Sequence, residues 1–441
     1  MPSHAVSLFS NCGAGDVGYR AAGFRFDVMA ELDPRRLDVC LRNHSGAVGV
    51  PNDLRETWPV VVERYRQIAG DNVPDLLAAC PPCQRWSSAR GKRGQGVDGV
   101  AGSREKLLVT VIADVVKELC PRITVVENVP AFLTGKVRNP ETRKAVCAAR
   151  LLIDALAGDY RVFPILVNLC DYGVPQVRSR AFLTFIRLDV PTLAVLEERR
   201  LTPYPQPTHA TDFEGQPITL AEALSDLHLP KLDAASERRA ISPDGNQMHC
   251  VPVWNDERYA MVAAIPPNRG GSAWDNNKCL SCGVVSSTDT NALCLSCGAV
   301  LPRPVIKAKN GRYRLIRGFK TSSYSRMKPN EPAPVITTAS GHLGSHHTIH
   351  PSENRLLSPL ECSKLQTFPD DFDWGDALEK WGHTNIRIMI GEAVPPLFTK
   401  QHGSVLQSLL HGRIPRRLLP QTDRRCRTAR KKLGLENELL S

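Results

Sequence analysis

Between residues 4 and 187, short apolar runs alternate with amphipathic stretches of helical period, and no other feature constrains the fold as strongly. The spacing predicts strands over residues 5–9, 26–31, 75–79, 123–127, 162–168 and 181–186. Helices are predicted between them over 17–22, 34–43, 56–69, 104–119 and 141–157. A helix between successive strands carries the chain back across the sheet. The strands therefore run mainly parallel, with helices on both faces. Ligands of such α/β sheets sit outside the carboxyl ends of the strands. Most of the polar motifs described below fall just after a predicted strand.

The alternation stops near Arg199. Leu201-Thr-Pro-Tyr-Pro-Gln-Pro-Thr208 reads as an extended linker. From there to about residue 351 the chain is irregular, rich in turns and carries a tight cysteine cluster, which points to a second, smaller domain. Apolar order returns over 355–368 and 386–410. We expect a first domain of residues 1–198 completed by 384–412, a second of 199–383, and a basic tail of 413–441. That last stretch holds Arg416, Arg417, Arg424, Arg425, Arg427, Arg430, Lys431 and Lys432; it reads as a phosphate-touching helix or tail, or as a solvated charge run. With 42% hydrophobic residues the chain can bury a large core, and a net charge of +11 favours a polyanionic partner such as nucleic acid. There are 14 cysteines, no N-terminal hydrophobic signal and no apolar window of membrane-spanning length. The expectation is a cytoplasmic protein off the membrane, its cysteines held as thiols or metal ligands.

Phe9-Ser-Asn-Cys-Gly-Ala-Gly-Asp16 joins the first strand to a helix, and Gly13 and Gly15 let the backbone approach a ligand closely. Alone, such a loop is an ordinary tight turn. Two carboxylates extend it: Glu31, with Leu32, ends the second strand, where an acid accepts from ribose hydroxyls. Asp53, with Leu54, ends the next unit and could accept from an adenine amino group on which Phe9 stacks. No phosphate-cradling loop with its lysine is present, so a nucleoside cofactor without triphosphate fits better than ATP.

Ala79-Cys-Pro-Pro-Cys-Gln84 follows a predicted strand, and Pro81 and Pro82 stiffen the chain ahead of Cys83. A thiolate on a rigid loop suits covalent catalysis; the bland reading is a buried thiol. Residues 84–102 are rich in Gly, Ser and Arg, as in a basic loop that closes over a substrate. Glu127, in Glu127-Asn-Val129, ends a strand where a carboxyl can serve as an acid. Gln176, Arg178 and Arg180 begin another strand and, by alternation, share one face. They either meet a ligand or form an exposed strand face.

The order of these motifs resembles that of the cytosine-C5 DNA methyltransferases of the bacterial restriction–modification type. Phe9 to Gly13, Glu31, Asp53, Pro82-Cys-Gln84, Glu127-Asn-Val129 and Gln176 to Arg180 carry the resemblance, joined by residues 355–372 and Gly391-Glu-Ala-Val-Pro-Pro396. It spans roughly residues 4–190 and 325–410. The resemblance implies a Rossmann-like sheet that binds S-adenosylmethionine through Phe9, Asn11, Gly13, Gly15, Glu31, Leu32, Asp53, Leu54, Glu392 and Ala393. It also implies that a cytosine is flipped out of double-stranded DNA. Cys83 would add to carbon 6, Glu127 protonate ring nitrogen 3 and Arg180 hold the carbonyl oxygen. Gln176 and Arg178 would support the loop, and Asn128 would position the backbone and Pro82. The irregular second domain would be the target-recognition domain. Whether a cognate restriction endonuclease partners such an enzyme stays open, a monomer is the default expectation, and the compact architecture points to a bacterial or phage source.

Three positions depart from the family pattern: Asn11 and Ala14 stand where glycines are common, and Glu392 where asparagine is typical. The last puts a charge near the cofactor's methionine end.

Cys279-Leu-Ser-Cys282 and Cys294-Leu-Ser-Cys297, each followed by glycine, have the spacing of a closed structural zinc site, with two disulfides as the alternative. Lys307, Lys309, Arg312, Arg314, Arg317 and Lys320 follow, interleaved with Tyr313 and Phe319: a DNA-facing edge or a solvated strand face. His346, His347 and His350 read as an ordered loop near DNA rather than a second metal site. Two other readings stay open, an RNA-directed cytosine-C5 methyltransferase and a catalytically inactive DNA-binding relative. The large insert favours a duplex reader over the first, and the intact Cys83, Glu127 and Arg180 speak against the second.

Overall fold

The computed structural model describes residues 3–82, 108–138, 142, 144–213, 215–285 and 291–435. The first part of the chain runs β1 (Ser3–Leu8), α1 (Ala14–Ala21), β2 (Phe24–Glu31), α2 (Pro34–Asn43), β3 (Val48–Pro51), α3 (Leu54–Ala69) and β4 (Leu76–Ala79). After it come α4 (Leu108–Leu119), β5 (Ile123–Asn128), the short hairpin β6 (Lys136–Arg138) and β7 (Ala145–Cys147), and α5 (Ala148–Leu156). Then follow β8 (Tyr160–Asn168), β9 (Ser179–Arg187), α6 (Thr192–Glu198) and β10 (Leu201–Pro205).

Seven of these strands form one sheet in the order β3-β2-β1-β4-β5-β9-β8. The strands from β3 to β5 are parallel, and β9 runs antiparallel to both β5 and β8. Alternation along each strand feeds two cores. Val6, Leu8, Leu77, Ala79 and Val126 face α3, α4 and α5. Ala5, Leu76, Ala78, Ile123 and Val125 face the layer that carries Tyr19 and Phe398. All residues of β4 and β5 are buried, as expected of central strands covered on both sides. The strand order reverses between β1 and β4, which places a crevice at their carboxyl ends.

The mainly parallel sheet matches the expectation from the alternation, with differences in detail. β3 was not expected, because Val-Gly-Val-Pro is too short to show a period. The helix expected over 141–157 covers only Ala148–Leu156, because Ala145–Cys147 pairs with Lys136–Arg138. The stretch expected as a linker at 201–208 contains β10.

The second part contains α7 (Leu220–Ser225), α8 (Glu237–Ala240), α9 (Asp256–Ala263) and the hairpin β11 (Val305–Lys307) and β12 (Tyr313–Leu315). The chain then returns through α10 (Pro359–Leu365), α11 (Ala377–Glu392, broken at Gly382), α12 (Pro396–Leu410), β13 (Leu418–Pro420) and α13 (Arg424–Leu433). α12 packs along α1: a Cβ on Gly18 would lie 2.0 Å from Thr399 Oγ1, so only glycine allows that approach. β13 pairs with β10, so residues 413–435 fold against the first part rather than forming a loose tail. No helix among the described residues is long and apolar enough to cross a membrane.

With little regular structure, the second part depends on buried polar groups. Arg326 donates to the carbonyls of Val262, Ile265 and His350 and to Asn354 Oδ1. Arg355 forms a bidentate pair with Glu361 (2.7 and 2.9 Å), both nearly inaccessible to water. Glu361 also closes the capping box of α10 with Ser358. Burial alone would raise the Glu361 pKa, but the Arg355 guanidinium outweighs it and holds the carboxyl at about 2. The folded-state value lies below the ordinary 4.5, so the pair's stabilisation is complete above that pH and is lost as pH falls towards 2. Arg355→Met is expected to lower stability by about 3–5 kcal/mol by stranding a buried carboxylate, and Arg355→Met/Glu361→Leu to recover most of it. Denaturant unfolding at neutral pH checks this; a single variant as stable as the parent would contradict it.

Candidate active site

β1 ends at Leu8, and the chain turns sharply through Phe9 (φ 59°) and Asn11 (φ 51°) before Gly13 (φ 75°) opens α1. Asn tolerates this left-handed conformation where most residues would be strained, so Asn11 is a mild replacement for glycine. The turn is anchored from outside. Glu31 accepts from the backbone N–H of Asn11 (2.9 Å) and of Asp33 (3.1 Å), and Asn11 Nδ2 donates to Met389 O (2.9 Å). Burial raises the Glu31 pKa, opposed by those N–H groups and by Arg36. Behind the turn, Asp16 accepts from Ser7 Oγ (2.9 Å), and burial pushes its pKa up to about 7.

Above this turn lies a pocket at the carboxyl ends of β1 and β4, where the strand order reverses. Leu8, Phe9, Ser10, Asn11, Gly15 and Asp16 form one wall, and Ala79, Cys80, Val125, Glu127 and Phe182 the opposite one. Glu392, Ala393, Val394 and Thr399 close the remaining side. Of the expected cofactor residues, Phe9, Asn11, Gly15, Glu392 and Ala393 thus line the same pocket. Gly13 and Glu31 stand behind it. Leu32 is 63% exposed at the end of β2, Leu54 is buried in the core, and Asp53 caps α3 and pairs with Arg55. Those three are not among the residues that line the pocket. The charge at Glu392 is balanced by Arg36, 2.7 Å away on α2.

Glu127 lies at the end of β5 and is held on both oxygens. Arg180 Nε approaches Oε1 at 2.8 Å, and Cys80 Sγ donates to Oε2 at 2.8 Å. Asn128 Nδ2 donates to Pro81 O (2.8 Å), and its Oδ1 accepts from Val129 N (2.9 Å). Asn128 therefore clamps Pro81 rather than Pro82, which is exposed. Cys83 and the basic loop of residues 84–102 lie outside the described residues.

The expectation that Gln176, Arg178 and Arg180 share one strand face does not hold. β9 starts only at Ser179, and Gln176 and Arg178 are buried in the turn before it. Gln176 donates to Leu365 O and Gln366 Oε1 (both 2.8 Å) and accepts from Ile336 N (3.1 Å). Arg178 donates to the carbonyls of Ile336 (3.1 Å), Gly391 (2.9 Å) and Ala393 (3.0 Å). Arg180 alone reaches Glu127. Alternation was applied to residues that are not yet in a strand.

In the second part, the four expected cysteine sulfurs lie within 4.8 Å of one another, with Cys279–Cys297 and Cys282–Cys294 at 3.6 Å. Each pair sits in a tight turn completed by a left-handed glycine, Gly283 or Gly298. His346 Nδ1 meets Ser322 Oγ, and His350 Nδ1 accepts from Glu353 N, so these histidines serve loop order. The β11–β12 hairpin carries its basic and aromatic residues largely in solvent, with Lys307 Nζ 5.6 Å from the Tyr313 ring centre.

Cys80 and Arg36 escaped the sequence reading. Cys80 was visible only as half of a C-x2-C pair, and Arg36 meets Glu392 across 356 positions of chain.

Residues 4–408 match the family model described as C-5 cytosine-specific DNA methylase. The chain belongs to that family. It is 26% identical over 404 residues to the type II methyltransferase M1.HgaI of Avibacterium volantium, covering 89% of this chain and 94% of that one. Against the type II methyltransferase M.DdeI of Desulfomicrobium norvegicum the identity is 27% over 400 residues, covering 90% and 86%. Among solved structures, a DNA modification methyltransferase encoded within an E. coli prophage superposes with a TM-score of 0.54 at 21% identity, over 93% of this chain and 99% of that one. That likeness concerns the fold. Family membership makes the protein a DNA (cytosine-5-)-methyltransferase with S-adenosylmethionine as methyl donor. The pocket suits such a donor: apolar walls for a purine, carboxylates for a cationic ligand, and a buried Asn11 Oδ1 with no hydrogen-bond partner among the described residues.

Proposed function

We propose that the chain methylates carbon 5 of a cytosine flipped out of duplex DNA, with Cys83 as the nucleophile. The observation that carries this reading is the clamp on Glu127, which faces the pocket from directly beside Cys80, three positions before Cys83 in the sequence. Bound in the pocket, S-adenosylmethionine supplies the electrophilic methyl group. Cys83 adds as a thiolate to carbon 6 of the ring, while a proton delivered through Glu127 to nitrogen 3 keeps charge from building up on the base. Arg180 holds the carboxyl of Glu127 in place and lies beside the ring carbonyl. Carbon 5, made nucleophilic, would take the methyl group as its bond to the donor's sulfonium sulfur breaks, leaving a neutral thioether. Loss of the carbon-5 proton to solvent and return of the nitrogen-3 proton to Glu127 would then re-form the double bond and expel Cys83 as a thiolate. Phe9 and Asn11 hold the donor, with Glu31 fixing their turn. Gln176 and Arg178 act by tying the last motif, at Gly391 and Ala393, to the segment that starts β9, not by touching the base.

Duplex DNA, S-adenosylmethionine labelled in the methyl group, and the Cys83→Ser and Glu127→Gln variants test this. The parent should label carbon 5 of cytosine in a defined sequence, Cys83→Ser should fall to background, and Glu127→Gln should lose about 10²–10⁴-fold in rate. A Cys83→Ser variant that still transfers methyl groups at the parent's rate would overturn the assignment.

We further infer that Cys279, Cys282, Cys294 and Cys297 hold one structural zinc ion. Four sulfurs at about 2.3 Å from a tetrahedral metal lie about 3.8 Å apart, close to the spacing found here. The bound ion would rigidify a target-recognition module whose β11–β12 hairpin meets DNA. Elemental analysis should find one zinc per chain, lost in Cys282→Ser; metal-free protein with four free thiols would refute it. We further propose a monomer that works beside a cognate restriction endonuclease, the latter suggested by the type II relatives.

A further inference from the structure

The family match ends at residue 408, and the chain beyond it is strongly cationic. Residues 409–441 hold nine Lys and Arg against three Asp and Glu, a net +6 of the chain's +11. More than half of the excess charge therefore sits where the family model does not reach.

The described part of this segment, to residue 435, is built into the fold. α13 lies on β8 with Cys426, Ala429 and Leu433 buried, and β13 pairs with β10. Arg425, 5% exposed at the side chain, anchors its first turn to Asp171 (2.9 Å), Asp212 (3.0 Å) and Asp423 (3.3 Å). Helical periodicity then sorts the charges. Positions 425, 426, 429 and 433 turn inward, whereas Arg424, Arg427, Lys431 and Lys432 are exposed. Arg424 is paired with Asp212; among the described residues Arg427, Lys431 and Lys432 form no ion pair. Like charges at i,i+4, as at Arg427 and Lys431, weaken a helix, so covering β8 does not explain them.

The topology says where this face stands. β5 and β8 both run antiparallel to β9, so their carboxyl ends share one edge of the sheet. Glu127 lies at that end of β5, and Asp171 just beyond β8. The Arg425–Asp171 contact therefore sets the start of α13 on the edge where the active site opens. Two strand spacings, about 10 Å, separate β5 from β8.

We propose that the outer face of α13 is a phosphate-contact surface for substrate DNA flanking the target base. The proposal rests on duplex DNA entering at this edge, as the proposed function requires. Duplex DNA carries about one charge per 1.7 Å of axis, so a duplex in the active site brings phosphates within reach of a cationic helix at that distance. Such contacts add affinity and fix orientation without reading sequence.

The test is the salt dependence of binding by the full-length protein to a duplex that overhangs the target on both sides, for the parent, Arg427→Gln and Arg427→Gln/Lys431→Gln/Lys432→Gln. Each phosphate contact contributes about 0.9 to the slope of log K against log salt. The triple variant should be shallower by about 2–3, so that its affinity loss between about 50 and 200 mM salt shrinks by up to about 40-fold. The single variant should lose about one third of that slope change. A triple variant that melts like the parent and keeps its slope overturns the proposal. Methyl transfer by the parent to the same duplex is measured alongside, so that a failure of the proposed function reads as no transfer rather than as an unchanged slope.

Discussion

The buried polar knot of Gln176, Arg178 and Gln366 decides whether the two parts of the chain make one site. Arg178 is almost wholly removed from water, yet its guanidinium meets three backbone carbonyls on two distant segments. Gln366 Nε2 adds a bond to Ile390 O at 2.6 Å. A buried guanidinium without such partners would be very costly, so these segments can pack in only one arrangement. The knot fixes the turn at 391–393 and with it Glu392 and Ala393 in the pocket wall. It also fixes the start of β9, and so the direction in which Arg180 leaves the strand.

The reacting side of the pocket depends on that direction. Glu127 has both oxygens engaged, by a guanidinium on one strand and by a thiol on the loop after another. The carboxyl is thereby oriented before any base arrives, and pre-oriented groups lower a barrier without reorganising in the transition state. Asn128, clamping Pro81, fixes the backbone two positions before Cys83 in the sequence. Across the pocket, the Phe9–Asn11 turn is held by Glu31 and by Met389 O, so the walls contributed by the beginning and the end of the chain are tied together.

The sheet was legible in the sequence because strands buried on both faces read as apolar runs, and helices between them enforce parallel pairing. Glu127, Phe9, Asn11 and Glu392 were legible as motif positions and do meet in one pocket. What escaped is what depends on long-range contacts. Strand alternation put Arg178 on a ligand-facing or exposed face, whereas the resemblance made it a support; only the carbonyls of Ile336, Gly391 and Ala393 show which segments it braces. Arg36 gives no local sign that it balances Glu392. Residues 201–205 read as a linker because prolines dominate, but edge strands tolerate proline, and the partner, β13, lies more than 200 residues on. The charge run after residue 413 read as a helix, a tail or a solvated run, and its buried face was not legible because that face includes Arg425, neutralised by three aspartates.

The most direct measurement of the central claim, covalent attack by Cys83, is trapping on duplex DNA with 5-fluorocytosine at the target, in the presence of S-adenosylmethionine. Fluorine at carbon 5 blocks the elimination that frees the enzyme, so a denaturation-resistant complex should accumulate. Peptide mass mapping should place the adduct on Cys83 among the 14 cysteines. An adduct on another cysteine, or none while ordinary DNA is methylated, would contradict the account.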